Sequence, residues 1–485
     1  MSRHRSSGGK SRHVSRRTAL KQLGLGIGVS AIGTRCVPPD RCEVGPEAPP
    51  LGPERDEYGQ PTPRRLLAGI DTLIVVMMEN RSFDHLFGML ARDPEYPARD
   101  LVDGLTGMEA CPDDDGNPIY VHWAEHIDNY GPRHDWEGSR EAYANGHNDG
   151  FVRTNVGQTR TDTMAYHVRS QLPLLYALAD QYTVCDRWFS SVMGPTWPNR
   201  YYLHAATSGG LVANEPLTEM PATVWERLGK KCWSSKCYAA GPVHWYYGAF
   251  RGKSLAGNDP LVAAFIEDFF RDAREGTLPS FALIDPDFWS SDMHPPHSLA
   301  LGEVLLGAIV RALQESPQWS RSLLVITFDE HGGFFDHVPP PTTVDPRPEF
   351  CQLGFRVPTV VVGPMVRHGA VVSTTLEHVS VAATLGTRFG IDTLGPRMDA
   401  CADLSSCIDP ALVAQPSGAV GKLPRLTLDW RRVLDVSRPS IQPGLEAAMR
   451  GGFVPEHLID RRSLEQRLRA LLRHAEELDV ARVEG

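Results

Sequence analysis

Two apolar runs end directly in carboxylates and amides. Val75-Val76-Met77-Met78 leads into Glu79-Asn80-Arg81-Ser82-Phe83-Asp84, and Val325-Ile326-Thr327-Phe328 leads into Asp329-Glu330-His331-Gly332-Gly333. Uninterrupted apolar residues without polar alternation read as strands buried on both faces of a parallel sheet. Ligands of open α/β sheets bind beyond the carboxyl ends of such strands. If the two strand ends are neighbours, Glu79, Asn80, Asp329 and Glu330 converge. Three carboxylates and an amide oxygen need a cation to offset their repulsion, which makes them a hard-oxygen ligand set for a divalent metal. Asn80 has a simpler alternative, as a helix cap over Arg81 to Phe87.

Further chemistry lies in other loops. Gly194-Pro195-Thr196-Trp197-Pro198-Asn199-Arg200 turns the chain and starts a helix, with Pro198 suited to its first turn. A helix N-terminus is an anion site. A Thr196 hydroxyl placed there can attack phosphorus while amides and Arg200 hold its oxygens; Thr196 can equally be only an N-cap. Asp285-Pro286-Asp287 and Asp292-Met293-His294-Pro295-Pro296-His297 follow another strand, and His294 suits acid catalysis at a leaving oxygen. His134 lies in Gly131-Pro132-Arg133-His134-Asp135-Trp136. Gly332-Gly333 allow the tight turn that returns His337 toward the site. Trp225, Trp233, Trp245, Tyr246 and Tyr247 either pack or stack on a choline-like cation.

These loops need a scaffold. Strands are expected near 72–78, 182–186, 281–285, 322–328 and 357–362, and helices near 172–180, 197–207, 260–274, 299–315 and 378–389. Alternation of the two predicts an α/β fold, a mostly parallel sheet with helices on both faces. Residues 100–165, poor in long apolar runs, read as an irregular insertion roofing the site. Ser463 to Leu472 is amphipathic and is expected to pack on the domain. Residues 1–34 combine a basic lead, Arg16-Arg17 and a short Gly/Ala-rich apolar stretch, the layout of a twin-arginine export signal. That route implies the twin-arginine export machinery as partner, a periplasmic or extracellular location, and folding before export. The boundaries are 1–34 signal, 35–65 Pro/Gly-rich linker, 66–435 catalytic domain and 436–485 helical tail.

The net charge of -10, with no basic run outside the signal, argues against a nucleic-acid partner. The nine cysteines include no Cys-x-x-Cys, which disfavours a thiolate zinc site. Cys232–Cys237 and Cys401–Cys407 are spaced to staple loops in an exported protein.

Taken in order, Glu79 to Gly88, Tyr182 to Asp186, Gly194 to Arg200, His294-Pro295-Pro296 and Asp329 to Pro340 resemble the motifs of a bacterial phosphoesterase family. That family includes phosphatidylcholine-preferring phospholipases C and a respiratory-burst-inhibiting acid phosphatase. The resemblance spans about residues 68 to 390. It implies an alkaline-phosphatase-like α/β/α sandwich and a divalent metal (calcium, magnesium, manganese or zinc) on Glu79, Asn80, Asp329 and Glu330. Thr196 would be the nucleophile, giving a covalent phospho-threonine, and His134 and His294 would hold phosphoryl oxygens or protonate the leaving group. Arg200, His244 and His337 would contact substrate. The expected activity is that of an exported phospholipase C-like phosphoric ester hydrolase acting on a phospholipid or small phosphoester, with transient membrane-surface contact; the alternative is a broad acid phosphatase. Glu377-His378-Val379-Ser380 departs from the family's Asp-His-Thr-Ser, so the resemblance assigns it no role.

Overall fold

Parallel pairing decides which loops meet, so the strands come first. The computed structural model describes residues 46–125, 131–242, 244–250, 262–417, 421–429 and 461–484, all within the unit Cys36–Gly485. The export signal expected at 1–34 and the tail before 461 lie outside the described residues. The strands are β1 (Thr72–Met78), β2 (Thr183–Cys185), β3 (Ser235–Ala239), β4 (Val262–Phe265), β5 (Phe281–Asp285), β6 (Ser322–Phe328), β7 (Val360–Val362) and β8 (Ala370–Val372). In space they run β8-β2-β7-β6-β1-β5-β3-β4. Of these eight, β7 alone opposes its neighbours; the rest are parallel. Every residue of β1 and β6 is buried, which is why neither shows polar alternation.

The helices used below are α1 (Phe83–Phe87), α2 (Trp136–Tyr143), α3 (Pro173–Gln181), α4 (Thr196–Ala205), α5 (Val224–Lys230), α6 (Ile266–Glu275), α7 (Leu299–Gln314), α8 (Val379–Phe389) and α9 (Arg461–Glu477). α3, α6 and α9 pack on α7, whereas α4 and α5 pack on α8. Two helical layers therefore enclose a mixed, mostly parallel sheet, the expected α/β/α arrangement. α7 is apolar nearly all round, and such a helix must be covered on every side. α9 completes that cover with Leu464, Leu468, Leu472 and Ala475, and the following Ala481–Glu484 pairs with Leu426–Asp429. The tail is thus part of the domain's packing. No described helix is long and apolar enough to cross a membrane.

The expected insertion is a set of short elements around its own small core of Leu105, Cys111, Phe151, Val152 and Met164. It borrows Phe335 and Phe355 from the chain after β6. Three local expectations differ. The helix foreseen at 260–274 opens as strand β4, because Val262–Phe265 adds to the sheet edge at β3. β3 and β8 were not foreseen; Ser235-Lys236-Cys237 and Ala370 lack the apolar run that marks the central strands. Neither predicted cysteine staple forms. Cys237, Cys401 and Cys407 carry free thiols, while Cys232 is disulfide-bonded. Cys237 instead faces Asp285, and Cys401 faces Glu377.

Glu303 is a fully buried acid on α7, accepting the Leu175 N–H at the start of α3 at 2.9 Å. Burial pushes its carboxyl up to about 8. A folded-state pKa above the unfolded one means the native state holds the proton more tightly. The stabilisation is full below the unfolded value and is lost as pH rises toward 8. Glu303→Gln, which cannot ionise, should remove this loss. Thermal midpoints between pH 5 and pH 9 should fall less steeply in the variant; parallel curves would show that Glu303 does not titrate in this window.

Candidate active site at the sheet's carboxyl edge

Met78 pairs with Phe328 across the β1–β6 ladder, so Glu79 and Asp329 leave the sheet side by side. Asp285 ends β5 on the other flank of β1. The loops are then tied together. The Asn80 N–H donates to Asp329 Oδ1 at 2.8 Å, and the Glu79 N–H donates to the Asp292 carbonyl at 3.0 Å. Asn80 adopts a left-handed φ of 57°, a local cost that clusters at functional positions. It is not a cap: Ser82 caps α1, accepting from the His85 N–H. Gly332 has φ +64°, and a Cβ there would lie 2.1 Å from the Asn80 carbonyl oxygen. Only glycine lets the 329–333 loop lie on the 79–81 loop this closely.

Thr196 is the first residue of α4, with Pro195 at the cap position, so its hydroxyl does not cap the helix. Instead, it donates to Glu79 Oε2 at 3.3 Å. Asn199 braces the preceding turn, accepting from the Val192 N–H and donating to the Gly194 and Pro195 carbonyls. The first turn offers few amides, since the Trp197 N–H already donates to Asn214 and Pro198 has none.

Arg200 stands one turn further along α4, behind Glu79. Its Nε donates to Glu79 Oε1 at 2.9 Å, and its other nitrogens reach Asp285 Oδ1 and the Met77 carbonyl. It is fully buried, so the substrate contact expected of it is replaced by a positioning role. Burial, then the Asp329 charge, pushes Glu79 well above the usual carboxylate range. Burial, then Glu330, also pushes Asp329 up. For Glu330 burial acts in the same upward sense but is outweighed, by His134 first, and the group is held down. Adjacent like charges separate in this way.

Three buried oxygens in this cluster have no hydrogen-bond partner: Asn80 Oδ1, Asp329 Oδ2 and Glu330 Oε1, the last only 3.8 Å from His134 Nε2. Buried acceptors are normally satisfied. With Glu79 they form an oxygen donor set suited to a hard divalent cation. Spacing alone points elsewhere: among the described residues, Asp84, Asp336 and His337 are the one group of three acids or histidines whose ligand atoms all lie within 4.8 Å of one another. Arg356 already fills that cluster, donating to Asp336 Oδ1 and Asp84 Oδ1, each at 2.9 Å.

Among the histidines, His134 Nδ1 donates to the Pro132 carbonyl, so Nε2 accepts from Asn80 Nδ2 at 3.0 Å. That arrangement orients the Asn80 amide and frees its Oδ1. His294 Nδ1 likewise donates to the Pro295 carbonyl, and burial pushes this imidazole down to about 4. It is neutral with an Nε2 lone pair, better suited to accept a proton than to give one. The His134 and His294 ring centroids are 6.3 Å apart.

Two predicted contacts are committed elsewhere. His244 Nε2 bonds to the Ala264 carbonyl on β4. His337 bridges Asp84 and Asp103 and is raised to about 10: burial lowers it, and Asp84 more than compensates. Trp225, Trp245 and Tyr246 are buried in an aromatic layer around His204, the packing alternative. Sequence reasoning gave no role to Asp292, which receives His297 Nδ1 at 2.6 Å, nor to His378, which donates to the Asp329 carbonyl at 2.7 Å. The pattern Asp292-x-His294-x-x-His297 was the available signal for the first.

Residues 70–392 match the Phosphoesterase family. The chain is 32% identical over 375 residues, 68% of each chain, to non-specific phospholipase C1 of Arabidopsis thaliana. It is 29% identical over 389 residues to phospholipase C B of Mycobacterium tuberculosis, covering 67% of this chain and 74% of the other. Among solved structures, an alkaline phosphatase superfamily protein from Vibrio parahaemolyticus aligns with 69% of this chain and 70% of its own. The TM-score is 0.39 at 11% identity, a fit too loose to carry weight for the site.

Removing the buried guanidinium tests the electrostatic reading. Arg200→Met leaves Glu79 and Asp285 without their cation and should cost about 3–5 kcal/mol. Denaturant unfolding measures it; a loss below about 1 kcal/mol, the scale of an exposed pair, would mean Arg200 is not their main counter-charge.

Proposed function

The chain belongs to the Phosphoesterase family, and from that premise we propose that it is an exported, metal-dependent phospholipase C-like enzyme that uses Thr196 as nucleophile. It is a phosphoric ester hydrolase, and its relatives carry phospholipase C names. The observation that carries the finer reading is the Thr196 hydroxyl on Glu79, beside the partnerless oxygens of Asn80, Asp329 and Glu330.

The chemistry follows from those contacts. Thr196 Oγ attacks phosphorus, and the bond from phosphorus to the leaving alcohol oxygen breaks, that oxygen taking a proton from solvent. The proton lost by Thr196 has an acceptor in place at Glu79 Oε2. Arg200 fixes the other oxygen of that carboxylate, so Oε2 keeps its direction. The Thr196 N–H and the positive end of α4 face charge that develops on the phosphoryl oxygens. A divalent cation held by Glu79, Asn80, Asp329 and Glu330 would supply the remaining charge neutralisation and lower the pKa of the attacking hydroxyl. Water then attacks phosphorus, the bond from phosphorus to Thr196 Oγ breaks, and neutral His294 can take the water's proton and return it to Oγ. The Arg16-Arg17 segment supports export by the twin-arginine route.

Thr196→Val keeps the shape of the side chain and removes the oxygen. Turnover should fall by about three orders of magnitude or more, with thermal midpoint and metal content unchanged. Asp329→Asn should instead lower bound metal measured by elemental analysis. Near-normal turnover in the first, or full occupancy in the second, would relocate the nucleophile or the metal.

Substrate class is read from initial rates on p-nitrophenyl phosphorylcholine, bis-p-nitrophenyl phosphate and p-nitrophenyl phosphate, with and without EDTA. Preference for the choline diester, abolished by EDTA, is the expected outcome. Preference for the monoester would move the enzyme to the acid phosphatases, and EDTA-resistant hydrolysis would remove the metal.

A further inference from the structure

Cys185 ends β2, and Cys407 ends the 3-10 turn Leu404–Cys407, 222 positions later in the chain. Their Sγ atoms lie 3.7 Å apart, and both side chains are fully buried. The remaining thiols near carboxylates pair differently, Cys237 with Asp285 and Cys401 with Glu377. Cys185 and Cys407 face each other. A bonded pair has its sulfurs about 2.05 Å apart, so a small rotation of each side chain closes the gap. Cys407 first, and burial with it, raise the Cys185 thiol well above its usual range, so Cys185 is not the attacking thiolate. A second observation concerns the environment. Cys232 is already disulfide-bonded, so this fold accommodates a cystine of the kind an oxidising compartment favours.

We propose that Cys185 and Cys407 are a disulfide-forming site, closed by a disulfide oxidant such as oxidised glutathione or a thiol oxidoreductase. The step balances. One cysteine, as thiolate, attacks a sulfur of the oxidant, and the oxidant's other sulfur leaves as a thiol. The second cysteine then displaces the first oxidant sulfur from the mixed disulfide. The protein loses two protons and two electrons, and the oxidant becomes two thiols. Access comes through the turn. Ser405 and Ser406 are half-buried at the surface side of Cys407, and opening this one turn exposes Cys407 while the sheet stays intact.

The bond would reinforce a seam now held by weaker contacts. The Arg367 N–H donates to the Cys407 carbonyl, Val366 bridges Ile408, and the Thr183 hydroxyl donates to the Arg367 carbonyl. β2 continues through Asp186 and Trp188 toward the Thr196 turn. The disulfide therefore fastens the strand that feeds the nucleophile turn, without touching any residue of the site itself.

The test uses the full chain folded in a glutathione redox buffer, then denatured, alkylated with N-ethylmaleimide, digested and mapped by mass spectrometry. A linked peptide containing Cys185 and Cys407 is expected, lost on treatment with dithiothreitol. In a Cys232→Ala background the reductant should lower the thermal midpoint, and Cys407→Ser in that background should abolish the difference while turnover stays unchanged. Recovery of Cys185 and Cys407 as separately alkylated peptides, alongside an intact Cys232 linkage, overturns the proposal. So does linkage of either to another cysteine. If Cys407→Ser does not fold, the peptide map of the natural chain decides alone.

Discussion

The site depends on one buried guanidinium. Arg200 lies between Glu79 and Asp285 with almost no exposure, and its fork also binds the Met77 carbonyl. A lysine could not hold these groups at once, because three acceptors around one planar fork require guanidinium geometry. By gripping Glu79 Oε1, Arg200 leaves Oε2 for Thr196, so one contact sets both the charge balance and the direction of the Thr196 hydroxyl. Because Arg200 and Thr196 share α4, a displacement of the helix moves both ends of this arrangement together.

The sheet imposes the second constraint. Glu79 and Asp329 come from strands about 250 residues apart, yet in-register parallel pairing of β1 with β6 makes them neighbours. Parallel strands need crossover connections, so the chain must travel through the helical layers between them. The pieces of the site are collected on the way: His134 from the insertion, Thr196 from α4 and His294 from the loop after β5. The insertion is anchored by apolar packing on Phe335 and Phe355, close after the second acidic loop. Its own short elements could not bury a core alone. His134 is thus held at Asn80 by a structure that exists only when the main domain is formed.

Legibility followed the range of the interaction. The central strands and Glu79, Asn80, Asp329 and Glu330 could be read because burial on both faces and an abrupt polar end are local signals. Thr196 at a helix start was legible from Gly-Pro and Pro198, although its hydroxyl bond to Glu79 was not. Arg200 was read as a substrate contact because a sequence shows a charge but not its counter-charge, here across more than a hundred residues. The same limit moved His244 to a β4 carbonyl and His337 to Asp84. Short strands toward the sheet's margins, such as β3 and β8, lack a long apolar run, and pairing decides them. Cysteine spacing suggested local staples, while the contact that forms spans β2 and a distant turn.

Two acidic clusters arise from the same pair of loops, and their difference argues which one does chemistry. Asp84 and Asp336 are matched by Arg356 and by His337, whose raised pKa keeps it charged at neutral pH. Charges balance there, and the guanidinium fills the space a cation would need. A few residues earlier in each loop, Glu79, Asp329 and Glu330 meet Arg200 and a neutral, half-buried His294, with two carboxylate oxygens and the Asn80 amide oxygen unsatisfied. Burial of uncompensated negative charge is costly. The fold tolerates that imbalance beside a hydroxyl at a helix start, where a cation and a phosphoryl group together would complete the electrostatics. The balanced cluster clamps the loops, and the unbalanced one is where the proposed cation and phosphoryl group would offset charge.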